Sequence, residues 1–534
     1  MADVLRRRHQ VSKKFETEQH ISLEDASKNE NSKSLIFGLI VYRICNVFLV
    51  QTWFVPDEFW QGPEVAHKLV FSYGYMTWEW REGIRGYFYP LVFSSIYKVL
   101  YVLKIDYLNF IIYLPRIIQA ILAAIGEFYI YKLARFLYGY QVACWVLFCH
   151  LTSWFMFYCC TRTLTNSMEA SLFSIGLYYW ELSLQQNTSK EKVVSAMCKA
   201  LSLASLSCLV RPTAVILWVP VVFLALTRKS VIELIVKYAP PIALFSLSFS
   251  LLADSYFYGK IVLVQYNFLK FNIMHNFAEF YGSHSWHWYL SQGLPVVLLT
   301  HLIPFGIGVY YQRKAIWKWL VVIIFVVAVY SCLGHKEFRF IFPILPIAMI
   351  ICGQGLYYLS SSKSNKDHKT LSRKTSPVNM KILVVFLILT NVPFALYMSL
   401  IHQRGSIDVM RAIQENVKYN ASTSVLFLMP CHSTPFYSYI HQNIEMRFLD
   451  CSPNSKPGYV DEADLFYENP QMWLDENYSE DQTPSNILLF DVLFKKIETF
   501  LSKHFYTKCG EYFYSHLPSG RLGRSILFMC KKKL

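Results

Sequence analysis

The chain has 534 residues, of which 54% are hydrophobic and 17% aromatic but only 16% charged, well short of the roughly 25% charged residues of a soluble domain. These proportions exclude an ordinary soluble protein and read as a polytopic membrane protein. The formal net charge of +15 does not point to nucleic acid, because the basic residues gather in short loops between apolar runs, where they orient membrane spans.

Residues 1–33 carry Arg6-Arg7-Arg8, Lys13-Lys14 and Lys28 with no apolar stretch and are expected to form a disordered cytosolic tail. The first apolar run starts near Leu35, too long and too far along the chain for a cleavable signal peptide, and reads as a signal anchor. Runs long enough to cross a bilayer as helices fall near 35–54, 116–134, 141–159, 166–185, 197–211, 213–228, 232–253, 293–311, 316–333, 340–359 and 380–401, which makes eleven expected spans. With the N-terminus in the cytosol, the clusters Lys132/Arg135, Lys190/Lys192/Lys199, Arg228/Lys229/Lys237, Arg313/Lys314/Lys318 and Lys363/Lys366/Lys369/Arg373/Lys374 all fall on the cytosolic side, as the positive-inside rule requires. The run 89–103 is short and flanked by Arg85, Lys98 and Lys104, and is expected to lie in the lumenal interface.

The same parity makes four features lumenal: the loop 55–115, the loop 255–292, the segment His335-Lys336-Glu337-Phe338-Arg339 and the tail 402–534. Three units result: the tail 1–33, a membrane domain 34–401, and a small C-terminal lumenal domain 402–534 of the usual domain size. Ser424-Val425-Leu426-Phe427-Leu428-Met429 and Asn486-Ile487-Leu488-Leu489-Phe490 read as short buried strands, giving that domain an α/β character. It holds Cys431, Cys451, Cys509 and Cys530, which allow disulfides in three pairings. Asn420 and Asn477 head sequons and are expected to be glycosylated in a lumenal tail. The Asn187 sequon falls in a cytosolic loop and should stay bare. The terminal Lys531-Lys532-Lys533-Leu534 resembles a dilysine retrieval signal, which conflicts with a lumenal C-terminus and is read as incidental.

Val55-Pro56-Asp57-Glu58-Phe59-Trp60-Gln61 sets two adjacent carboxylates directly after the first span. A charge at the edge of the hydrocarbon layer is costly, and its retention points to function. A carboxylate there can take a proton from an attacking hydroxyl. Lys336, Arg339 and His335 can hold a departing phosphate, and the aromatic stretch around Trp286-His287 suits sugar rings. Taken singly, each has a structural reading: interfacial polar residues, a salt-bridged turn, an aromatic belt, and, for Arg116 and Arg211, helix-end anchors. Their placement on one face favours transfer of a sugar from a phosphate-bearing lipid.

Three motifs carry a family resemblance: Val55 to Gln61 with Tyr73-Gly74-Tyr75-Met76-Thr77-Trp78-Glu79-Trp80 and Arg85-Gly86-Tyr87-Phe88-Tyr89-Pro90-Leu91; the stretch 281–295; and His335 to Pro343. In this order they resemble the dolichyl-phosphate-mannose-dependent α-mannosyltransferases of glycosyltransferase family 22, which have the GT-C fold. The resemblance implies an all-α polytopic membrane enzyme with lumenal interfacial helices, in the endoplasmic reticulum. Met429-Pro430-Cys431-His432, Phe448-Leu449-Asp450-Cys451 and Tyr459-Val460-Asp461-Glu462 are similar to the branch that adds the third, α1,2-linked mannose to the GPI-anchor precursor. By that resemblance Asp57 is the general base and Glu58 its support. His335, Lys336 and Arg339 bind the donor phosphate, and Trp60, Trp286 and His287 line the sugar site. No cofactor or metal is expected; the partners are the lipid-linked donor and a glycolipid acceptor. Two alternatives stay open: an N-glycan α-mannosyltransferase of the same family, and a lipid or proton-coupled transporter using Asp57/Glu58 as its ion site.

Overall fold

A computed structural model describes residues 30–186, 188–274, 280, 282–361, 379–419, 423–454, 458–479 and 482–532. Residues 1–29 of the expected tail 1–33, Asn187, residues 362–378 of the basic connection, Asn420 and Lys533-Leu534 lie outside the described residues, while 30–33, expected to be disordered, open the helix Glu30–Leu49. Every expected span overlaps a helix, but the first helix ends at Leu49 rather than near 54, the run 141–159 is interrupted at Ser153, and the helix within 213–228 ends at Phe223. Among the described residues, eight helices are long and apolar enough to cross a membrane. Of the remaining expected spans, Tyr140–Thr152 and Pro212–Phe223 are shorter apolar helices. Thr165–Ser183 is buried along most of its length despite its polar residues. The run expected to lie in the interface is the 16-residue helix Phe88–Leu103.

Burial differs sharply along the bundle. In Phe338–Ser361, 89% of the apolar window is inside the protein, against 6% in Lys229–Tyr258, so the first is the central helix and the second is open to lipid. The central helix is admitted by small residues: a Cβ on Gly355 would overlap Pro304, one on Gly353 would overlap Val146, and one on Gly308 would overlap Ile351. Such close approach is how membrane helices gain packing where lipid is as apolar as they are.

The C-terminal unit contains a five-stranded sheet in the order β2-β1-β3-β5-β4, with β1 Ser424–Leu428, β2 Glu445–Phe448, β3 Asn486–Phe490, β4 Tyr506–Phe513 and β5 Ser525–Lys531. β1 runs parallel to β2 and β3, and β5 runs antiparallel to β3 and β4. The two expected strands are β1 and β3, apolar after their first residues because both faces are covered. Side chains alternate between faces with period two. Val425, Phe427, Leu488, Phe490, Ile526 and Phe528 share one core with Phe59, Trp60 and Ile112 of the membrane unit. Leu426, Leu428, Ile487, Leu489, Leu527 and Met529 pack into a second core. One face of the sheet is therefore built onto the first polar loop. Of the three possible cysteine pairings the structure has Cys431–Cys451 and Cys509–Cys530.

Candidate active site

The apolar helix Glu30–Leu49 ends, and Pro56 precedes a four-residue helix, Asp57–Trp60. Successive side chains on a helix diverge by about 100°, so the two adjacent acids cannot face one target. Asp57 Oδ2 accepts a hydrogen bond from Gln61 Nε2, one turn on, and forms an ion pair with Arg339. Glu58 faces inward and is 1% exposed, held by the fully buried Arg162, whose Nη1 donates to Glu58 Oε2 at 2.7 Å. Each side-chain nitrogen of Arg162 donates at least one hydrogen bond. The residue donates to the Thr52 carbonyl at 2.6 Å, to Thr52 Oγ1 at 2.9 Å and to the Tyr158 carbonyl at 2.9 Å, and its guanidinium lies 4.2 Å from the Tyr158 ring centre. Thr163 Oγ1 adds a bond to the Glu58 carbonyl at 2.7 Å. Glu58 thus ties the acidic loop to the bundle instead of sharing the surface of Asp57.

The segment after the helix Arg313–Cys332 is extended at Glu337 and then enters a 3-10 helix, Phe338–Ile344. This places Glu337 and Arg339 side by side, with Arg339 Nε donating to Glu337 Oε2 at 2.7 Å and Nη2 to Oε1 at 2.5 Å. His335 Nε2 lies 3.1 Å from the same carboxylate. The result is a continuous charged row, Asp57–Arg339–Glu337–His335. Burial alone would raise the Glu337 carboxyl, but the Arg339 charge and the His335 hydrogen bond bring it down to about 2. Burial disfavours the His335 cation; the Glu337 hydrogen bond and charge outweigh this and raise its pKa above the usual value.

Two further arginines border the row. Arg85 donates to Glu79 at 2.5 Å and lies in the electrostatic field of Asp57 and Arg339. Arg211 donates to Glu169 at 3.0 Å, and its guanidinium lies 5.2 Å from the Phe340 ring, with Arg339 at 5.5 Å.

The other expected residues have different surroundings. Lys336 directs its ammonium to the carbonyls of Leu333, His284 at 2.9 Å and Gly334 at 3.4 Å, and an ammonium has three donors. It caps the preceding helix end and ties the 284 loop to it, leaving no donor for a phosphate. Trp60 is buried, donating from Nε1 to the Thr434 carbonyl at 3.1 Å and packing on His432, Phe436 and Phe448. Its faces are occupied by the sheet domain. Trp286 is 69% exposed, and His287 Nδ1 lies 3.1 Å from Ser291 Oγ. The rings that touch the charged segment are instead Trp288, 4.8 Å from Phe338, and Tyr289, whose hydroxyl meets the Glu337 backbone at 3.3 Å.

Residues 34–441 match the Alg9-like mannosyltransferase family. The chain belongs to that family. It is 45% identical over 504 residues to GPI alpha-1,2-mannosyltransferase 3 of Mus musculus, covering 93% of this chain and 88% of that protein. It is 45% identical over 513 residues to the Homo sapiens protein of the same name, covering 95% and 88%. Mannosyltransferase APTG1 of Arabidopsis thaliana is 41% identical over 494 residues, covering 90% and 89%. Among solved structures, ArnT from Cupriavidus metallidurans bound to undecaprenyl phosphate aligns with a TM-score of 0.57 at 12% identity, covering 94% of this chain and 98% of that one. The Archaeoglobus fulgidus oligosaccharyltransferase tethered to an acceptor peptide aligns at 0.52 and 11% identity, covering 95% and 74%. At such identity these two show a shared fold, the GT-C membrane glycosyltransferase fold with a small C-terminal sheet domain. The chain is thus a multi-pass mannosyltransferase acting on lipid-linked substrates.

In this member of the Alg9-like family the sheet domain closes over the acidic loop through buried polar contacts. Glu64 accepts from the backbone N–H groups of Phe436 at 2.8 Å and Ser438 at 3.1 Å, and from Ser438 Oγ at 2.5 Å. His67 Nε2 lies 2.9 Å from His441 Nδ1. His432, on a left-handed backbone at φ 59°, packs 4.5 Å from Trp60 and feels the Asp57 charge; burial brings its pKa down to about 4 despite the opposing pull of Asp450 and Asp57. Cys431, His432 and Cys451 lie together, with the two sulfurs joined.

Local pattern assigns no individual role to Arg162, Gln61 or His432, and Arg211 reads from the sequence as a helix-end anchor. A signal was present for the arginines: the parity that puts Asp57 in the lumen puts the short turns holding Arg162 and Arg211 there too.

Proposed function

We propose that this enzyme transfers mannose from dolichyl phosphate mannose to the GPI-anchor precursor, forming the α1,2 linkage of its third mannose at the lumenal side of the endoplasmic reticulum membrane. The observation that carries this reading is the ion pair between Asp57 and Arg339, which brings a base and a phosphate-binding cation into one cluster. Whole-length similarity to GPI alpha-1,2-mannosyltransferase 3 proteins favours the GPI precursor over an N-glycan acceptor.

The mechanism is a single displacement with inversion. The donor is a β-linked mannosyl phosphate. As it enters, its phosphate replaces Asp57 on Arg339 Nη1, while Glu337 keeps the guanidinium in place through the other two bonds. The released Asp57 carboxylate accepts the proton of the acceptor 2-hydroxyl, and the oxygen attacks the anomeric carbon from the face opposite the phosphate. The glycosidic C–O bond breaks, and dolichyl phosphate leaves with one additional negative charge, which Arg339 and the nearby Arg85 stabilise. These guanidinium groups supply the charge compensation, and no step of this reading calls on a metal or cofactor.

In this reading both termini are placed by parity, the first cytosolic and the second lumenal. Asn477, exposed at the end of the helix Pro470–Asn477, is then a glycan acceptor. Two measurements test the assignment. Expression in cells lacking GPI mannosyltransferase 3 should restore surface GPI-anchored proteins, and Asp57→Asn should not. Restoration of N-glycan intermediates alone would transfer the assignment to the other acceptor, and activity of Asp57→Asn near wild type would remove Asp57 as base.

A further inference from the structure

The helix Thr165–Ser183 begins beside Arg162 and Thr163, which hold Glu58. Its 19 residues at 1.5 Å each extend about 28 Å, so its far end lies on the opposite side of the membrane domain from the charged row. At that end, Lys132 of the helix Leu108–Tyr138 sits over Tyr178 at 4.6 Å and Tyr129 at 5.1 Å. Lys199 of the helix Lys190–Val210 sits over Tyr179 at 5.1 Å. The Tyr129 and Tyr179 hydroxyls are joined at 2.8 Å, so these three cation–aromatic pairs form one cluster. Beside it opens a cleft of about 370 Å³ whose lining includes Tyr179, Thr188, Glu191, Lys192, Ser195 and Lys199.

The charge balance there is unusual. Lys318 nearby is matched by Glu181 at 3.8 Å, whereas Lys132, Lys192 and Lys199 have no ion-pair partner among the described residues. Glu191 is the one acid lining the cleft, so the cluster keeps an excess of positive charge. Aromatic faces hold ammonium groups without neutralising them. A basic pocket between helix ends at a membrane surface is suited to an anionic headgroup, and the Leu182 and Ala196 walls of the cleft offer apolar surface for the start of an acyl chain.

We propose that this cleft binds the phosphate-bearing headgroup of an anionic bilayer phospholipid, between Lys192 and Lys199, on the membrane face away from the active site. The hydroxyls of Thr188 and Ser195 donate to the same headgroup, and Lys132 contributes long-range attraction from the adjoining aromatic cluster. The site is independent of the transfer reaction and of the acceptor assigned to it.

The test uses the full chain in nanodiscs of phosphatidylcholine with a minor fraction of phosphatidylserine, followed by native mass spectrometry of retained lipid. Wild type should retain phosphatidylserine in preference to phosphatidylcholine. Lys192→Ala with Lys199→Ala should lower that retention about thirtyfold, while Lys192→Arg with Lys199→Arg keeps it. Glu191→Gln should increase retention and serves as the deciding variant if the double alanine protein does not fold. Equal retention of both lipids by wild type, an unchanged Glu191→Gln, or a folded double alanine protein that retains phosphatidylserine as wild type does would each overturn the proposal. Displacement of the lipid by millimolar inorganic phosphate alone would also overturn it, by making the cleft a site for free anions.

Discussion

Asp57 and Arg339 form a direct ion pair, joining the loop after the first membrane helix to the entrance of the central one. Arg339 is simultaneously gripped by both oxygens of Glu337, so its guanidinium has a fixed plane and one exchangeable partner. A cation arranged in this way can pass from a carboxylate to a phosphate without losing its position.

Replacement of Arg339 tests that exchange. Arg339→Ala should raise the KM for the donor far more than that for the acceptor. Arg339→Lys should recover little, because a single ammonium cannot reproduce the planar fork that spans Glu337 and Asp57. Combining Arg339→Ala with Asp57→Asn should cost much less than the product of the two separate losses, since groups acting as a unit are non-additive. Steady-state kinetics in microsomes with labelled donor reads all three; losses that multiply would mean the two residues act independently.

The Glu58–Arg162 pair makes a stability prediction. Glu58→Ala strands a fully buried guanidinium and should destabilise the protein by about 3–5 kcal/mol, seen as a lower unfolding temperature in detergent and reduced yield. Glu58→Gln, which keeps an acceptor for Arg162, should be milder. A Glu58→Ala protein with wild-type unfolding and no activity would instead put Glu58 in contact with substrate.

Closure of the sheet domain should depend on pH through two groups of opposite sign. Burial lifts the Glu64 carboxyl from 4.5 to about 7, against the hydrogen bonds from Ser438 and Phe436. The folded protein therefore retains a proton that the unfolded chain releases, and this contribution is complete below 4.5 and lost as pH rises through about 7. Burial, and then the His441 charge, lower His67 from 6.5 to about 3, so its contribution is present above 6.5 and lost as pH falls through about 3. Glu64→Gln should remove the loss on the alkaline side and leave the acid loss intact. Limited proteolysis of the sheet domain across pH measures both limbs.

Both disulfides lie in the sheet domain, and Cys431–Cys451 closes a loop of 20 residues. Loops of that size confer about 3 kcal/mol. Cys431→Ser should therefore lower the unfolding temperature of the sheet domain and loosen the packing of His432 on Trp60. Peptide mapping without reduction should recover Cys431 with Cys451 and Cys509 with Cys530, and any other pairing would contradict the fold.

By itself, the sequence determined what depends on local pattern. Apolar length places the membrane helices, because a backbone in lipid must satisfy its hydrogen bonds within the segment. The uninterrupted apolar runs Val425–Leu428 and Ile487–Phe490 mark strands covered on both faces. The positions of Asp57 and Arg339 at the ends of apolar runs were legible for the same reason. Tertiary structure decided the partners. A helical step of about 100° separates Asp57 from its neighbour and turns Glu58 onto Arg162, and nothing in the local pattern names that arginine. Lys336 and Trp60, which read from the sequence as ligands for phosphate and sugar, meet backbone carbonyls and the sheet domain once the chain is packed. Which charge meets which is set by contacts between segments far apart in sequence, and those exist only once the bundle and the sheet have packed together.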